Sequence, residues 1–478
     1  MKGFLIDEIM GLMKRLRAIQ NKLIKACRSW ALKKEFDTES ARELRYESIL
    51  INHNTYLKNI PAYRKLAELE LCDESTDIST IKKKLMSSDD VFKSYSQEWI
   101  DAGDYGRMNR WLSNLYFKNI DVDVRHIKSI DDWIEQLKQA GVSVSYSSGT
   151  SGIFSLVPRD PDDWKRAKIA NVNYLTPFLT YAKTGTVLTR LFVKPLSKWL
   201  SPDAFAGVVG KIGMRNFDGV FLGFRQGRMG NQVLMQELAP LFRKYYFLFD
   251  VDLTATALRC LRRGARTQEE QQLLEQFQAE VFRKKDENYR KILGKMKTSL
   301  CDGQKIFLFG APYQFKELAE LMSAQHENLI LKNGSLILFG GGWKSFTGET
   351  MDRESLIAML KKIFGLPSDR ILEGYSMTEI NMLMLRCDAG RFHIPPIIEP
   401  VVFDEELSPL EGKDLRGFFG FLDPLAVSYP GFLISGDYVR MIDGECSCGL
   451  DGPAIVEIGR AKTKEIKGCG GIMSSLKA

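Results

Sequence analysis

The stretch that decides the fold reads Val144-Ser145-Tyr146-Ser147-Ser148-Gly149-Thr150-Ser151-Gly152-Ile153-Phe154-Ser155. A β-type run here gives way to small hydroxylated residues and glycines. Glycines let the backbone approach an anion closely, successive N–H groups can point at it, and Ser and Thr hydroxyls add neutral donors. The stretch therefore predicts a loop that grips phosphates. Taken alone the signal is weak, because Ser/Gly clusters are usually ordinary loops and the Gly-Lys-Ser/Thr ending of a P-loop is missing.

Four further blocks follow this loop in a particular order: Gly340-Gly341-Gly342-Trp343-Lys344, Gly374-Tyr375-Ser376-Met377-Thr378-Glu379, Ser435-Gly436-Asp437 and Gly459-Arg460. In this order the blocks resemble the acyl-adenylate-forming (ANL) superfamily. The Gly-Gly-Gly-Trp-Lys block, with the early C-terminus, is most similar to its acyl-protein synthetase branch. The Cys-x-Cys-Gly segment at 446–449, with an upstream Cys and His, resembles relatives of phenylacetate-CoA ligases in the same branch. The resemblance covers residues 90 to 470 and implies an enzyme that uses ATP to activate a carboxylic acid as an acyl-adenylate.

The bulk composition is that of a globular protein with several structural units. The chain has 478 residues, of which 44% are hydrophobic and 27% are charged, and such a length predicts two or three units. No apolar run is long enough to cross a bilayer, so the expected location is the cytosol. Eight cysteines are too few for a disulfide scaffold, which favours metal binding or a reactive thiol.

The net charge of +7 is concentrated at the N-terminus. Residues 1–35 hold nine Lys/Arg and three Asp/Glu, so they carry +6 and leave +1 for the rest of the chain. A nearly neutral body argues against a nucleic-acid groove. The apolar residues of this segment lie on one stripe of a predicted helix. The stripe can dock on the protein's own body, bind a partner helix or contact an anionic membrane surface, of which the first is favoured.

The pattern of apolar runs predicts an α/β fold, the large domain of an adenylate-forming enzyme with layered β-sheets and helices. Residues 1–90 are expected to form a helical N-terminal region and residues 91–394 the α/β adenylation core. In the core, strands are predicted at 219–222, 305–309 and 335–339, alternating with helices. From 395 to 478 short strands separated by Gly, Pro and Asp predict a small β subdomain.

The resemblance assigns roles to the residues of the loop and of the block that ends at Glu379. The loop would hold the departing phosphates with Ser147, Ser148, Gly149, Thr150, Ser151 and Gly152. Glu379 would bind Mg²⁺, because a hard cation prefers carboxylate oxygen, and Thr378 would reach a phosphate. The lysine that many members place shortly after this loop is replaced here by Ile153-Phe154-Ser155-Leu156, which predicts weaker phosphate binding or a lysine from elsewhere.

The remaining blocks would seat the nucleoside. Tyr375 would stack on the adenine, and Gly341 and Gly342 would line the base pocket. Asp437 would accept hydrogen bonds from the ribose hydroxyls, with Arg460 near the ribose or phosphate. Two interpretations of Lys344 stay open: it attracts the substrate carboxylate, or it is a surface lysine beside Trp343.

Four potential metal ligands lie outside these blocks. They are Cys387, His393, Cys446 and Cys448. Three thiolates and one imidazole suit tetrahedral Zn²⁺, and four protein ligands predict a structural site. In the alternative, Cys387 is a buried apolar residue and His393 a polar loop residue.

Only 18 residues follow Arg460 (478 minus 460). We therefore expect the small mobile domain that most acyl-adenylate enzymes carry at this point, with its catalytic lysine, to be absent. The acyl-protein synthetases that the chain resembles transfer the acyl group to a cysteine near their own C-terminus. Cys469 stands in such a place, where neighbouring lysines would favour the thiolate. The alternative is an inert thiol on a frayed tail.

The main hypothesis is an acid–thiol ligase that forms an acyl-AMP and then a thioester on its own cysteine or on a partner protein or carrier. An aryl- or acyl-CoA ligase that works with a separate C-terminal domain is the nearest alternative. A non-catalytic adaptor with the same fold is the alternative from another class. The identity of the acid, the acyl acceptor and the oligomeric state stay open.

Overall fold

The computed structural model describes residues 2–33, 36–147, 153–180, 199–343 and 349–460. The α-helices in this part of the chain are α1 Lys2–Ala31, α2 Thr38–Asn59, α3 Pro61–Leu69, α4 Ile78–Lys84, α5 Gln97–Asp101, α6 Tyr105–Ser113, α7 Ile130–Gln139, α8 Pro161–Thr180, α9 Pro202–Ala204, α10 Lys211–Met214, α11 Gly230–Leu238, α12 Ala255–Arg263, α13 Gln268–Gln278, α14 Lys285–Cys301, α15 Pro312–Ala324 and α16 Arg353–Phe364. Short 3-10 turns cover Asp89–Lys93, Ala239–Leu241 and Ser368–Arg370, and π-helical turns cover Phe205–Gly210 and Ala279–Arg283.

Strands form one large sheet and one hairpin. They are β1 Ser87–Ser88, β2 Ser143–Tyr146, β3 Leu156–Arg159, β4 Phe217–Gly227, β5 Tyr245–Leu253, β6 Lys305–Gly310, β7 Leu336–Gly340, β8 Ile371–Tyr375, β9 Met384–Arg386, β10 Phe392–His393, β11 Glu399–Phe403, β12 Asp414–Leu422, β13 Phe432–Gly444 and β14 Gly452–Arg460. The large sheet has twelve strands in the order β11-β12-β13-β14-β10-β9-β8-β7-β6-β4-β5, with β1 added beside β13, and β2 pairs with β3 in the hairpin. This mixed α/β architecture confirms the predicted fold class.

The large sheet changes from parallel to antiparallel strand pairing at β8. From β8 to β5 all neighbours are parallel, whereas β8 and β9 pair antiparallel, as do the following strands out to β11. Parallel neighbours need crossover connections, and α11 to α16 lie within those connections. The predicted strands at 219–222, 305–309 and 335–339 are the central part of this parallel half.

Side chains alternate between two cores across the parallel half. On β7, Leu336 and Leu338 belong to one apolar cluster, while Ile337 and Phe339 belong to the other. Successive side chains of a strand point to opposite faces, so both faces of β7 are covered. The larger cluster also contains side chains of α1, α8 and the antiparallel strands, and the smaller one those of α14, α15 and α16.

The N-terminal helix docks on the protein's own body. Leu16, Ile19, Leu23 and Trp30 of its apolar stripe are all buried. The helix packs against α2 and α8. Docking on the protein's own body is the arrangement that the sequence favoured for this stripe. No helix in the described ranges combines the length and the hydrophobicity needed to cross a membrane.

The region from 395 to 460 contains strands and no helix among its described residues, as predicted. Its four strands continue the same sheet as the parallel half, because β14 pairs with β10 and β10 with β9. The division of the chain at residues 90 and 394 stays a prediction.

Candidate active site and candidate metal centre

Two of the predicted blocks meet at the carboxyl ends of β7 and β8. Gly340 and Gly374 are partners in the register of these parallel strands. A Cβ atom on Gly340 would lie 2.6 Å from the carbonyl oxygen of Gly374, so only glycine fits there. Gly341 and Gly342 follow with φ of 84° and 63°, a left-handed conformation that glycine adopts without strain. The carboxyl edge of a parallel sheet is where ligands bind in open α/β folds.

Tyr375 and Asp437 are joined directly. The Tyr375 hydroxyl donates a hydrogen bond to Asp437 Oδ2 at 2.7 Å. The Tyr375 ring lies against Phe392 and Phe419, with ring centroids 5.9 Å and 6.3 Å away. The structure thus brings the predicted adenine and ribose residues together, 62 positions apart in sequence, and holds the tyrosine ring between aromatic neighbours.

The Thr378-Glu379 pair is held through its backbone. Glu379 is only 4% exposed, and its carbonyl oxygen accepts a hydrogen bond from the Tyr429 hydroxyl at 3.0 Å. The carbonyl oxygen of Thr378 accepts from the Arg159 guanidinium at 2.5 Å. These bonds fix the backbone of the residue predicted to bind Mg²⁺ just beyond β8.

The Ser/Gly loop connects the two strands of the β2–β3 hairpin. Ser147 N–H donates to the Ser155 carbonyl at 3.1 Å, and Ser155 N–H donates to Ser147 Oγ at 2.9 Å. These two bonds close the base of the loop. Ser148 to Gly152, together with Lys344 and Cys469, lie outside the described residues. Arg460 is described by its backbone, which pairs with Asp437 in the register of β13 and β14.

Asp89 and Lys93 lie near the same carboxylates and were missed from sequence. Burial raises the pKa of Asp89 to about 7, and the charges of Glu379 and Asp437 add to that rise, while the Lys93 ammonium opposes it. Asp89 lies on a 3-10 turn that follows β1, which pairs with β13 just before Asp437. No sequence signal marked it, because this pairing joins segments about 350 residues apart.

The four predicted metal ligands converge. The ligand atoms of Cys387, His393, Cys446 and Cys448 all lie within 4.8 Å of one another. Cys387 Sγ is 3.7 Å from Cys446 Sγ, and Cys448 Sγ is 3.2 Å from His393 Nε2. Two sulfurs on a tetrahedral zinc ion stand about 3.8 Å apart, given a Zn–S bond of about 2.3 Å. The set therefore has the spacing and the chemistry that Zn²⁺ requires.

Two further observations fit a metal ion at this cluster. His393 is 1% exposed, and its Nε2, which lies 3.2 Å from Cys448 Sγ, is the ring nitrogen placed to bind the ion. A hydrogen bond from Cys448 lowers the pKa of Cys387, so one sulfur of the set loses its proton readily. Metal binding needs deprotonated thiols and a neutral imidazole, and both are available at this cluster.

The N-terminal helix closes this cluster on one side. The Trp30 ring stands edge-on to His393 with centroids 6.2 Å apart, and its Nε1 donates to the Asp451 carbonyl at 2.9 Å. The Lys33 ammonium donates to the Cys448 carbonyl. The cluster therefore joins the turns beside β10 and β14 under α1.

Comparisons with known proteins give these sites a family context. The sequence model of the family "acyl-protein synthetase, LuxE" matches residues 221–477. The long-chain-fatty-acid–luciferin-component ligase of Vibrio harveyi is 29% identical over 194 residues, which make up 39% of this chain and 49% of that protein. The ligase of the same name from Aliivibrio fischeri is 27% identical over 183 residues, or 37% and 47% of the two chains. The match spans about half the length of these curated relatives.

Among solved structures, 2-hydroxyisobutyryl-CoA ligase in an open conformation with 2-HIB-AMP and CoA gives a TM-score of 0.44 at 12% identity, covering 90% of this chain and 81% of that one. The same ligase in its thioesterification state gives 0.46 at 14% identity, with 90% and 74% covered. The family match extends over more than half of the sequence. It includes strand β8 and the site residues Tyr375, Glu379 and Asp437. The chain therefore belongs to the acyl-protein synthetase LuxE family.

Proposed function

We propose that the protein is an ATP-dependent acyl-protein synthetase. It joins a carboxylic acid to AMP and then passes the acyl group to a cysteine thiol, its own or that of a partner protein. The observation that carries the proposal is the Tyr375–Asp437 hydrogen bond beside the buried Glu379, at the carboxyl edge of the parallel strands in a member of this family.

The proposed first step is nucleophilic attack at phosphorus. A carboxylate oxygen of the acid attacks the α-phosphorus of ATP, the bond to the β-phosphate oxygen breaks, and pyrophosphate leaves. In the second step a thiolate attacks the acyl carbon and forms a thioester. The bond between the acyl carbon and the phosphate oxygen breaks, and AMP leaves with its electron pair. Both steps depend on positioning and on charge neutralisation.

Each residue of the site has a proposed part in binding and orientation. Asp437 accepts hydrogen bonds from the ribose hydroxyls, and the Tyr375 hydroxyl keeps its carboxylate oriented. The adenine stacks on the Tyr375 ring, and Gly341 and Gly342 leave room for the base. Glu379 and the Ser/Gly loop face the triphosphate. Mg²⁺, bound through Glu379, would neutralise the charge of the departing pyrophosphate.

The proposed acid is a long-chain fatty acid. The curated relatives are named for that substrate, and this chain has a small apolar cavity of about 20 Å³. It is lined by Leu175, Phe178, Met214, Leu238, Phe242, Phe307, Leu336, Leu338, Leu372 and Leu385. Its lining is wholly apolar, as burial of an aliphatic chain requires, and an acyl chain would enter by displacing these side chains. Leu338 of this lining lies beside Gly374, the residue before Tyr375.

The proposed structural Zn²⁺ would be held by Cys387, His393, Cys446 and Cys448. With four protein ligands it would have no open position for substrate. Its chemistry would be to fix the turns beside β10 and β14. We also propose a cytoplasmic location and the division into residues 1–90, 91–394 and 395–478. Cell fractionation and limited proteolysis test these two proposals.

The decisive experiment is ATP–pyrophosphate exchange with a panel of acids. Labelled pyrophosphate should enter ATP in the presence of long-chain fatty acids and much more slowly with short or aromatic acids. If a folded sample shows no exchange with any acid, the adaptor hypothesis replaces this one. If acyl groups are discharged only to added coenzyme A, the CoA ligase hypothesis replaces it.

Cys469 is the proposed internal acyl acceptor. Cys469→Ser should leave pyrophosphate exchange within about twofold of wild type, because adenylation precedes acyl transfer, and should abolish covalent labelling by radioactive fatty acid. Cys301→Ser is the matched control, since Cys301 is an exposed free cysteine. Labelling that survives the loss of Cys469 would contradict the assignment, whatever the result for Cys301→Ser.

A further inference from the structure

Arg159 is a buried cation that makes no direct ion pair with a described carboxylate. Its side chain is fully buried, and no Asp or Glu among the described residues comes within 4.0 Å to form an ion pair with it. Trp164 and Tyr429 place their rings 4.6 Å and 4.7 Å from the centre of the guanidinium. Burying a charge is costly unless its N–H donors are hydrogen-bonded. The acceptors of this guanidinium therefore indicate which segments it holds together.

The guanidinium donates in three directions. Nη1 donates to Ser145 Oγ at 2.7 Å, and Nε donates to Asn381 Oδ1 at 3.2 Å. Nη2 donates to the Thr378 carbonyl at 2.5 Å and to the Tyr429 hydroxyl at 3.0 Å. The planar fork of arginine fits such a set of diverging acceptors, whereas a lysine ammonium cannot reach them all.

These acceptors belong to the two segments on which adenylation depends. Arg159 and Ser145 lie on the paired strands β3 and β2, which carry the Ser/Gly loop at their tip. Thr378 and Asn381 flank Glu379. The Tyr429 hydroxyl adds a second link, since it accepts from Arg159 and donates to the Glu379 carbonyl at 3.0 Å.

We infer that Arg159 is a positioning residue that fixes strands β2 and β3, which flank the Ser/Gly loop, relative to Glu379. The inference rests on the proposed function, because it assumes that these two segments hold opposite sides of one triphosphate. Arg159 acts through the backbone of Thr378 and through Tyr429, and it touches neither nucleotide nor acid. A small displacement between the two segments is expected to slow phosphoryl chemistry far more than it weakens binding of the acid.

Arg159→Lys tests this role against Arg28→Lys. Arg28 is a matched control because it is 1% exposed, donates to Asn173 and to the Leu200 carbonyl, and lies over the Phe205 ring. We expect Arg159→Lys to lower kcat for pyrophosphate exchange about 10- to 100-fold, with the KM for the acid within about twofold of wild type. Arg28→Lys should change neither.

Hydrogen–deuterium exchange measures the same link without catalysis. Arg159→Lys should speed amide exchange in peptides covering 143–147 and 376–381, whereas Arg28→Lys should not. If both variants exchange alike in these peptides, the positioning role is wrong. If the wild type catalyses no pyrophosphate exchange but Arg159→Lys still loosens both segments, the proposed function fails and the structural link stands.

Tyr429→Phe keeps the test decisive if Arg159→Lys does not fold. It removes the hydroxyl between Arg159 and the Glu379 carbonyl and retains the buried ring. Faster amide exchange confined to 376–381, with a lower kcat than wild type and a KM for the acid within about twofold of wild type, is expected. Unchanged exchange in that segment would overturn the inference.

Discussion

At the scale of single residues, the hydrogen bond from Tyr375 to Asp437 is the feature most open to test. Tyr375→Phe removes the donor that lies 2.7 Å from Asp437 Oδ2 and keeps the ring. A hydrogen bond to a charged group contributes about 1.5–3 kcal/mol; because bound ribose and water replace part of it, we expect the KM for ATP to rise about tenfold. Steady-state pyrophosphate exchange at varied ATP measures this.

Tyr438→Phe is the control for that substitution, since Tyr438 is the next residue after Asp437 on β13, is 40% exposed and packs on Phe418. Its KM for ATP should match wild type. Equal effects of the two substitutions would show that Asp437 does not depend on the Tyr375 hydroxyl.

At the scale of elements, the Cys/His cluster ties together the turns of two strand pairs. Cys387 and His393 flank the turn between β9 and β10, and Cys446 and Cys448 lie in the turn between β13 and β14. Purified protein should contain about one zinc per chain by elemental analysis. Cys448→Ser should lose the metal and destabilise this region by several kcal/mol, seen as a lower Tm.

Cys72→Ser is the matched control, because Cys72 is also a half-buried free cysteine but lies outside the cluster. It should keep its zinc. A wild-type protein that is free of metal, and whose Tm does not respond to a chelator, would contradict the zinc assignment.

At the scale of the whole molecule, Asp163 joins α8 to a loop 265 residues away. Its Oδ2 accepts from the backbone N–H of Val427 and Ser428 and from the Ser428 hydroxyl. Burial raises the pKa of Asp163 to about 7, although these donors oppose the rise. The folded protein therefore keeps the Asp163 proton up to about pH 7, whereas the unfolded chain releases it near pH 4.

Because the folded state binds the extra proton between about pH 4 and pH 7, this group makes stability fall as pH rises through that window. The slope approaches about 1.4 kcal/mol per pH unit. In urea unfolding from pH 5 to pH 8, the stability of Asp163→Asn relative to wild type should rise up to about pH 7 and then level off. Asp162→Asn, at an exposed neighbouring carboxylate, should show no such trend. A flat difference for Asp163→Asn would refute the raised pKa.

Much of the molecule could be predicted from local patterns. The alternation of apolar runs was sufficient for the α/β class and for the central strands, and residue type with spacing was sufficient to select Cys387, His393, Cys446 and Cys448, which the structure then brings together. The order of the Gly-rich and Tyr-Ser-Met-Thr-Glu blocks indicated the family that the comparison confirmed. These features are encoded by residues close in sequence, where propensity and side-chain chemistry act directly.

Arg159, Asp89 and the Tyr375–Asp437 contact could not be found in that way. Arg159 donates to the carbonyl of Thr378, which is 219 positions away in sequence. Asp89 lies near Glu379 because β1 pairs with β13. Such neighbours depend on the order in which distant strands pair and on how buried polar groups find partners once water is excluded. Neither condition leaves a periodic signature in the sequence, because each is satisfied by the packed molecule as a whole.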